Sequence, residues 1–181
     1  MPQRSAVKAP DWTTAIIVMG VSGAGKSTVA SRLADRLRRP LVEGDSLHPP
    51  SNIEKMSRGT PLGDEDRLPW LKAIASRIDE ARKTHRPIIV TCSALKRSYR
   101  ETLEDGHDDV GFVYLKGAKE LIAQRLAART NHFMPPGLLD SQFAALQEPA
   151  ADEPSIAIPI DAPPDEIVNA IVEKFRAETR S

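Results

Sequence analysis

Gly20-Val21-Ser22-Gly23-Ala24-Gly25-Lys26-Ser27 follows the apolar run Ala15-Ile16-Ile17-Val18-Met19 and leads into Thr28-Val29-Ala30-Ser31-Arg32-Leu33-Ala34-Asp35-Arg36-Leu37. The order is strand, glycine loop, helix, with G-x-x-x-x-G-K-[ST] at the joint. Glycines let the backbone curl until successive N–H groups face one phosphate chain. The helix that begins near Gly25 adds the positive end of its dipole. Lys26 supplies a point charge for the β- and γ-phosphates, and the Ser27 hydroxyl can ligate the nucleotide's Mg²⁺. A plain strand-to-helix turn does not require this spacing. The stretch implies a site for a nucleoside triphosphate.

The totals narrow the partners. The chain has 181 residues, enough for one α/β domain with a sizeable core. Lys and Arg number 25, as do Asp and Glu, so the formal charge is zero and nothing draws the whole molecule to nucleic acid or membrane. Arg36-Leu37-Arg38-Arg39 is as long as any basic run becomes. The single cysteine, Cys92, excludes an internal disulfide and suits a reducing, cytoplasmic setting. It reads as a small buried hydrophobe rather than a nucleophile. The four histidines are scattered, which argues against a zinc cluster. Ala15–Met19 is far short of the ~20 apolar residues that span a bilayer.

Residues 1–14 lack periodicity and read as a loose leader, with Trp12 free to pack back; residues 15–181 read as a single domain. The spacing predicts strands at Pro40–Val42, Pro87–Cys92, Val110–Leu115 and Ser155–Ile160. Helices alternate with them, starting at Lys26, near Pro50, beyond the charged connection Gly63–Arg67, near Lys96, at Glu120 and beyond Pro164. The run Thr130–Gly137 reads as loop, followed by a short helix over Leu138–Leu146. Such alternation gives a three-layer α/β/α sandwich around a parallel sheet. Residues 130–140 form a candidate lid.

Ligands on open parallel sheets bind beyond the carboxyl ends of the strands. Polar side chains are concentrated there. Glu43-Gly44-Asp45 offers one carboxylate for Mg²⁺ and another to take a proton from an attacking hydroxyl; the alternative is a solvated turn capped by Asp45. Arg125 and Arg129, four apart on one helix, either neutralise a transferred phosphoryl group or cover an apolar edge. His48 either touches substrate or holds its turn. Asp64-Glu65-Asp66 reads as a solvated face, with Arg67 beside it.

Read together, these blocks resemble the small gluconokinase family. The resemblance runs from Gly20–Ser27 through Glu43-Gly44-Asp45-Ser46-Leu47-His48-Pro49, Asn52–Met56, Pro61–Leu71 and Cys92-Ser93-Ala94-Leu95-Lys96-Arg97-Ser98-Tyr99-Arg100. It continues through Tyr114–Gly117, Arg125–Arg129, His132-Phe133 and Leu146-Gln147-Glu148-Pro149, in family order. Glu43 stands where many members carry Asp. The resemblance implies a P-loop fold like that of nucleoside-monophosphate kinases, with a lid and often as a homodimer. The implied reaction is phosphorylation of D-gluconate by ATP and Mg²⁺.

On that basis Lys26, Asp45 and Arg125 are the expected catalytic residues, and Ser27 with Glu43 the metal ligands. Gly20 to Thr28, Arg125, Arg129, Gln147 and Pro149 are expected at the nucleotide. His48, Arg67, Lys96 and Arg100, with Asp45, are expected around the substrate, whose carboxylate calls for cationic donors. The lid would carry Arg125 and Arg129 toward the phosphate loop as it closes. A shikimate-kinase-like or nucleotide kinase on the same fold is the nearest alternative, and a non-catalytic ATP-binding switch is a more distant one.

Overall fold

The computed structural model describes residues 12–129 and 136–179. Five strands form one wholly parallel sheet in the order β2-β3-β1-β4-β5, with β1 Ala15–Met19, β2 Leu41–Glu43, β3 Ile88–Thr91, β4 Val110–Lys116 and β5 Ser155–Pro159. The helices are α1 Lys26–Leu37, α2 Pro50–Ser57, α3 Asp64–Thr84, α4 Arg97–Glu104, α5 Lys119–Ala127, α6 Pro136–Ala145 and α7 Pro164–Thr179. A 3₁₀ turn, Gly44–Leu47, follows β2.

β1 is buried at all five positions because helices cover both faces of the sheet. Its alternating side chains divide the core in two. Ile16 and Val18 pack with Leu33 of α1 and Val168 and Ile171 of α7. Ala15, Ile17 and Met19 pack with Trp70, Leu71, Ile74 and Ile78 of α3 and with Tyr99 and Leu103 of α4. The period-2 and period-3.6 patterns therefore meet in the expected three layers. Pro159 lies on the edge strand β5, where its missing N–H leaves no inner ladder broken.

Several boundaries differ from the sequence reading. Trp12 to Thr14 belong to the folded unit rather than to the leader; residues 1–11 lie outside the described residues. The Trp12 indole is buried over Gly111, where any Cβ would sit 1.8 Å from the ring. Thr14 Oγ1 donates to Asp109 Oδ2 at 2.7 Å. Asp64-Glu65-Asp66 is the first turn of α3, not a connection, and its negative charge suits a helix N-terminus. There Asp66 Oδ2 accepts from the Gly63 N–H at 2.9 Å. Pro136 and Gly137 begin α6, since proline at a first turn loses no helical hydrogen bond. Of the proposed lid, 130–135 lie outside the described residues.

Candidate active site

β1 lies between β3 and β4, so its carboxyl end opens at the sheet's topological switch point. The phosphate loop starts there. Gly25, the N-cap of α1, takes φ 92°, a left-handed conformation that glycine adopts without strain. Gly25 has no side chain to cap α1, and no acidic residue occupies the first turn, so the N–H groups are left for an anion. Gly23 (φ 85°) must also be glycine, because a Cβ would meet Leu126 Cγ at 2.7 Å. The Lys26 ammonium donates to the carbonyls of Gly20 at 2.9 Å and Val21 at 3.1 Å. Burial lowers its pKa from the usual lysine value, while the Asp45 carboxylate works in the opposite direction.

Ser27 and Glu43 come together as expected. Ser27 Oγ donates to Glu43 Oε2 at 3.2 Å, and Thr91 Oγ1 donates to the same oxygen at 2.6 Å. A hydroxyl and a carboxylate side by side at a phosphate loop form a hard oxygen donor set, which fits Mg²⁺. Thr91, at the end of β3, also accepts from the Gly44 N–H at 3.1 Å, while the Trp70 indole N–H donates to the Gly44 carbonyl at 2.8 Å. A Cβ on Gly44 would lie 2.0 Å from the Thr91 carbonyl oxygen. Close approach of β2 to β3 is thus what aims Glu43 at Ser27. Asp45, next in the 3₁₀ turn, is exposed, and its charge bears on both Lys26 and His48.

His48 is buried and stacked on Trp70, with ring centroids 4.1 Å apart and planes at 14°. Its Nδ1 lies 3.2 Å from Asn52 Nδ2, which also donates to the Asp66 carbonyl at 2.8 Å. Burial lowers the imidazole pKa, the Asp45 carboxylate works against that and the Arg67 charge adds to it, so the net effect favours the neutral ring. It is therefore not a cationic holder of a carboxylate.

Arg67 and Lys96 do converge. Arg67 Nη1 donates to the Tyr99 hydroxyl at 2.9 Å, and the Tyr99 hydroxyl donates to Asp64 Oδ1. Lys96 Nζ donates to the same Asp64 oxygen at 3.0 Å. Arg67 lies 5.4 Å and Lys96 Nζ 5.7 Å from the Tyr99 ring centroid. Two cations thus converge around one exposed carboxylate, whose pKa the Tyr99 and Lys96 hydrogen bonds lower.

Arg100 is a correction. Its side chain is 1% exposed and pairs with Glu153, itself 5% exposed. Nε donates to Glu153 Oε1 at 2.6 Å, Nη1 to the Ala94 carbonyl at 2.8 Å and Nη2 to the Gln147 carbonyl at 2.9 Å. With a second Nη2 bond to Glu153 Oε2 at 3.2 Å, four of its five N–H groups are committed inside the fold and the side chain is buried away from any substrate. Gln147 is a second correction: its Oε1 accepts from the Arg97 N–H at 2.9 Å and its own N–H donates to Leu95 O at 2.8 Å. It caps α4, and neither it nor Pro149 lines the cavity beside the phosphate loop.

That cavity, of about 620 Å³, is lined by Gly23, Gly25 and Thr28 of the loop and α1, Leu121, Arg125 and Arg129 from α5 and just beyond it, and the run Asp161-Ala162-Pro163-Pro164. Arg125 Nη2 donates to the Ile160 carbonyl at 2.6 Å. Both arginines share that cavity with the loop. The 161–164 run, Thr91, Asp64, Tyr99 and Asn52 were missed by the sequence reading. A polar or proline-rich run directly after a strand's carboxyl end was the available signal for the first of these.

An AAA domain family model matches residues 16–149. The chain is 47% identical over 163 residues to the gluconokinase of Gluconobacter oxydans, covering 90% of this chain and 92% of the relative. It is 44% identical over 161 residues to the thermoresistant gluconokinase of Escherichia coli K12, covering 88% and 92%. A crystal structure of a gluconokinase from Sinorhizobium meliloti superposes with a TM-score of 0.84 at 42% identity, over 92% of this chain and 93% of that one. Shikimate kinase from Aquifex aeolicus, at 16% identity and a TM-score of 0.61 over 92% and 99%, shares the fold alone.

Proposed function

The chain belongs to the gluconokinase family, and on that premise we propose how its residues carry out phosphoryl transfer from ATP to D-gluconate. The enzyme is a gluconokinase whose product is 6-phosphogluconate. The observation that carries the residue assignment is the pairing of Arg67 and Lys96 about one carboxylate, on the same side of β1 as Asp45.

Gluconate has a carboxylate at one end and a primary hydroxyl at the other. Lys96 and Arg67 hold the carboxylate, exchanging their present contacts with Asp64 and Tyr99 for charge-assisted hydrogen bonds to substrate. Asp45 takes the proton of the primary hydroxyl as its oxygen bonds to phosphorus and the bond to the ADP oxygen breaks. Lys26, steadied on the Gly20 and Val21 carbonyls, meets the β- and γ-phosphates from there. Ser27, with Glu43 behind it, would hold Mg²⁺, which would supply positive charge to offset that of the phosphates. Arg125 and Arg129 line the nucleotide's cavity and add positive charge along the phosphate chain.

We also infer a cytoplasmic homodimer. None of the described helices is long and apolar enough to cross a membrane. Cys92 is buried and free, and Ile53, Met56 and Leu68 remain exposed as contact area. Light scattering after size exclusion measures the mass directly.

A coupled kinase assay tests the reading. Gluconate should be a good substrate and sorbitol, with the same terminal hydroxyl but no carboxylate, a very poor one. Lys96→Ala should narrow that kcat/KM gap by about 10²-fold, because an unpaired charge contact is worth several kcal/mol. Asp45→Asn should lower kcat by about 10²-fold or more with ATP affinity little changed. Sorbitol rivalling gluconate in the parent sinks the carboxylate assignment.

A further inference from the structure

α6 is anchored by Leu139, Phe143 and Leu146, spaced i, i+4, i+7, against the core on the α1 and α7 side of the sheet. Gln142 lies on that same stripe, one residue before Phe143, where an amphipathic helix would ordinarily place another apolar side chain. Both ends of its carboxamide are engaged by one residue. Oε1 accepts from the Ser22 backbone N–H at 2.7 Å, and Nε2 donates to Ser22 Oγ at 3.0 Å. These two bonds tie residues 120 positions apart. Ser22 ends the phosphate loop's first limb, Gly20-Val21-Ser22.

The direction in which the nucleotide lies follows from two contacts already described. Lys26 Nζ, the group that meets the β- and γ-phosphates, sits on the carbonyls of Gly20 and Val21. The cavity for the rest of the nucleotide opens on the other limb, beside Gly23, Gly25 and Thr28. The terminal phosphate therefore lies over the limb that ends in Ser22.

We propose that Gln142 is a positioning residue for the transferable phosphate. Through its paired hydrogen bonds it fixes Ser22 and so sets the limb of the loop that receives the γ-phosphate, while leaving the limb that holds the α- and β-phosphates unaffected. The inference rests on the reading of the loop as an ATP site for phosphoryl transfer. It adds a residue outside the loop that distinguishes triphosphate from diphosphate.

Calorimetry without gluconate measures the affinity of a non-hydrolysable ATP analogue and of ADP, each with Mg²⁺. Gln142→Ala should weaken the analogue about 10-fold, the equivalent of losing one or two neutral hydrogen bonds, with ADP within about twofold of the parent. Gln142→Met keeps the length and apolar packing of the side chain, and should give the same split even if the alanine variant melts early. Gln142→Glu keeps an acceptor for the Ser22 N–H but sets a negative charge beside the phosphates, so its analogue affinity should fall further. Ser22→Ala should reproduce part of the loss. A residue that only docks α6 would lower the melting temperature and leave the ratio of the two affinities alone. An unchanged ratio in Gln142→Met, or equal losses of both nucleotides, overturns the proposal. Gluconate turnover by the parent, measured alongside, stands or falls separately, so a failure of the kinase reading is not confused with a failure of Gln142.

Discussion

Four hydrogen bonds, two to Glu153 and one each to the Ala94 and Gln147 carbonyls, engage four of the five N–H groups of the buried Arg100 guanidinium. Burial pushes the Glu153 carboxyl up, but Arg100 and the Ala150 N–H outweigh it and hold it below the usual value. Removing one partner of such a pair leaves the other charged and buried, so Arg100→Ala should cost about 3–5 kcal/mol of stability. At a temperature where the variant is folded, its gluconate-to-sorbitol preference should match the parent's; denaturant melts and kcat/KM ratios measure both. Lys96, four residues earlier and 30% exposed, carries the opposite expectation. Sequence alone ranked the two alike, because both are cations in one family block after one strand. What separates them is Glu153, 53 positions away, and no local pattern announces that partner. Ser27 and Glu43 were legible for the converse reason: one belongs to the phosphate-loop motif that follows β1 and the other ends β2, and both sit at the carboxyl edge of the sheet, where the chain brings its polar groups together.

At the scale of elements, the junction of β2 with the 3₁₀ turn sets the chemistry. Gly44 lets the chain pass against the Thr91 carbonyl while Thr91 and Trp70 take up its N–H and C=O. Gly44→Ala should force these backbones apart, costing at least about 1–3 kcal/mol as an overpacked site. Glu43 and Asp45 would be displaced together, so kcat should fall along with the melting temperature; a loss of stability with normal turnover refutes the link. Helix periods and strand runs were readable at this scale because each is a local repeat. The α6 start at Pro136 and the helical Asp64-Glu65-Asp66 turn were not, since proline, glycine and clustered acids are punctuation in a loop and equally suitable at a helix N-terminus.

Across the whole molecule, stability and chemistry lie at opposite ends of the sheet. Asp109, just before β4, accepts from Arg82 Nε at 2.7 Å and Nη2 at 2.9 Å and from Thr14 just before β1. Arg82 is the larger cause that holds the Asp109 carboxyl down at about 2, from an ordinary 3.8. A carboxylate depressed on folding stabilises the protein above its unfolded pKa, and the gain is lost as pH falls through the folded one. Asp109→Asn should therefore be about 2 kcal/mol less stable than the parent at pH 7, with the gap closing between pH 3.8 and 2. Urea midpoints of both proteins across that range measure it; a gap that persists at pH 2 disproves the linkage. At the other end, β1 separates two flanks. The cavity for the nucleotide is built from α1, α5 and the 161–164 run, beyond β4 and β5, whereas the carboxylate clamp comes from α3 and α4, beyond β3. The two flanks touch at Ser27 and Glu43, while each draws its remaining ligand contacts from its own elements. A lineage built on this scaffold is thus free to exchange its acceptor by editing one side, inheriting the nucleotide half intact.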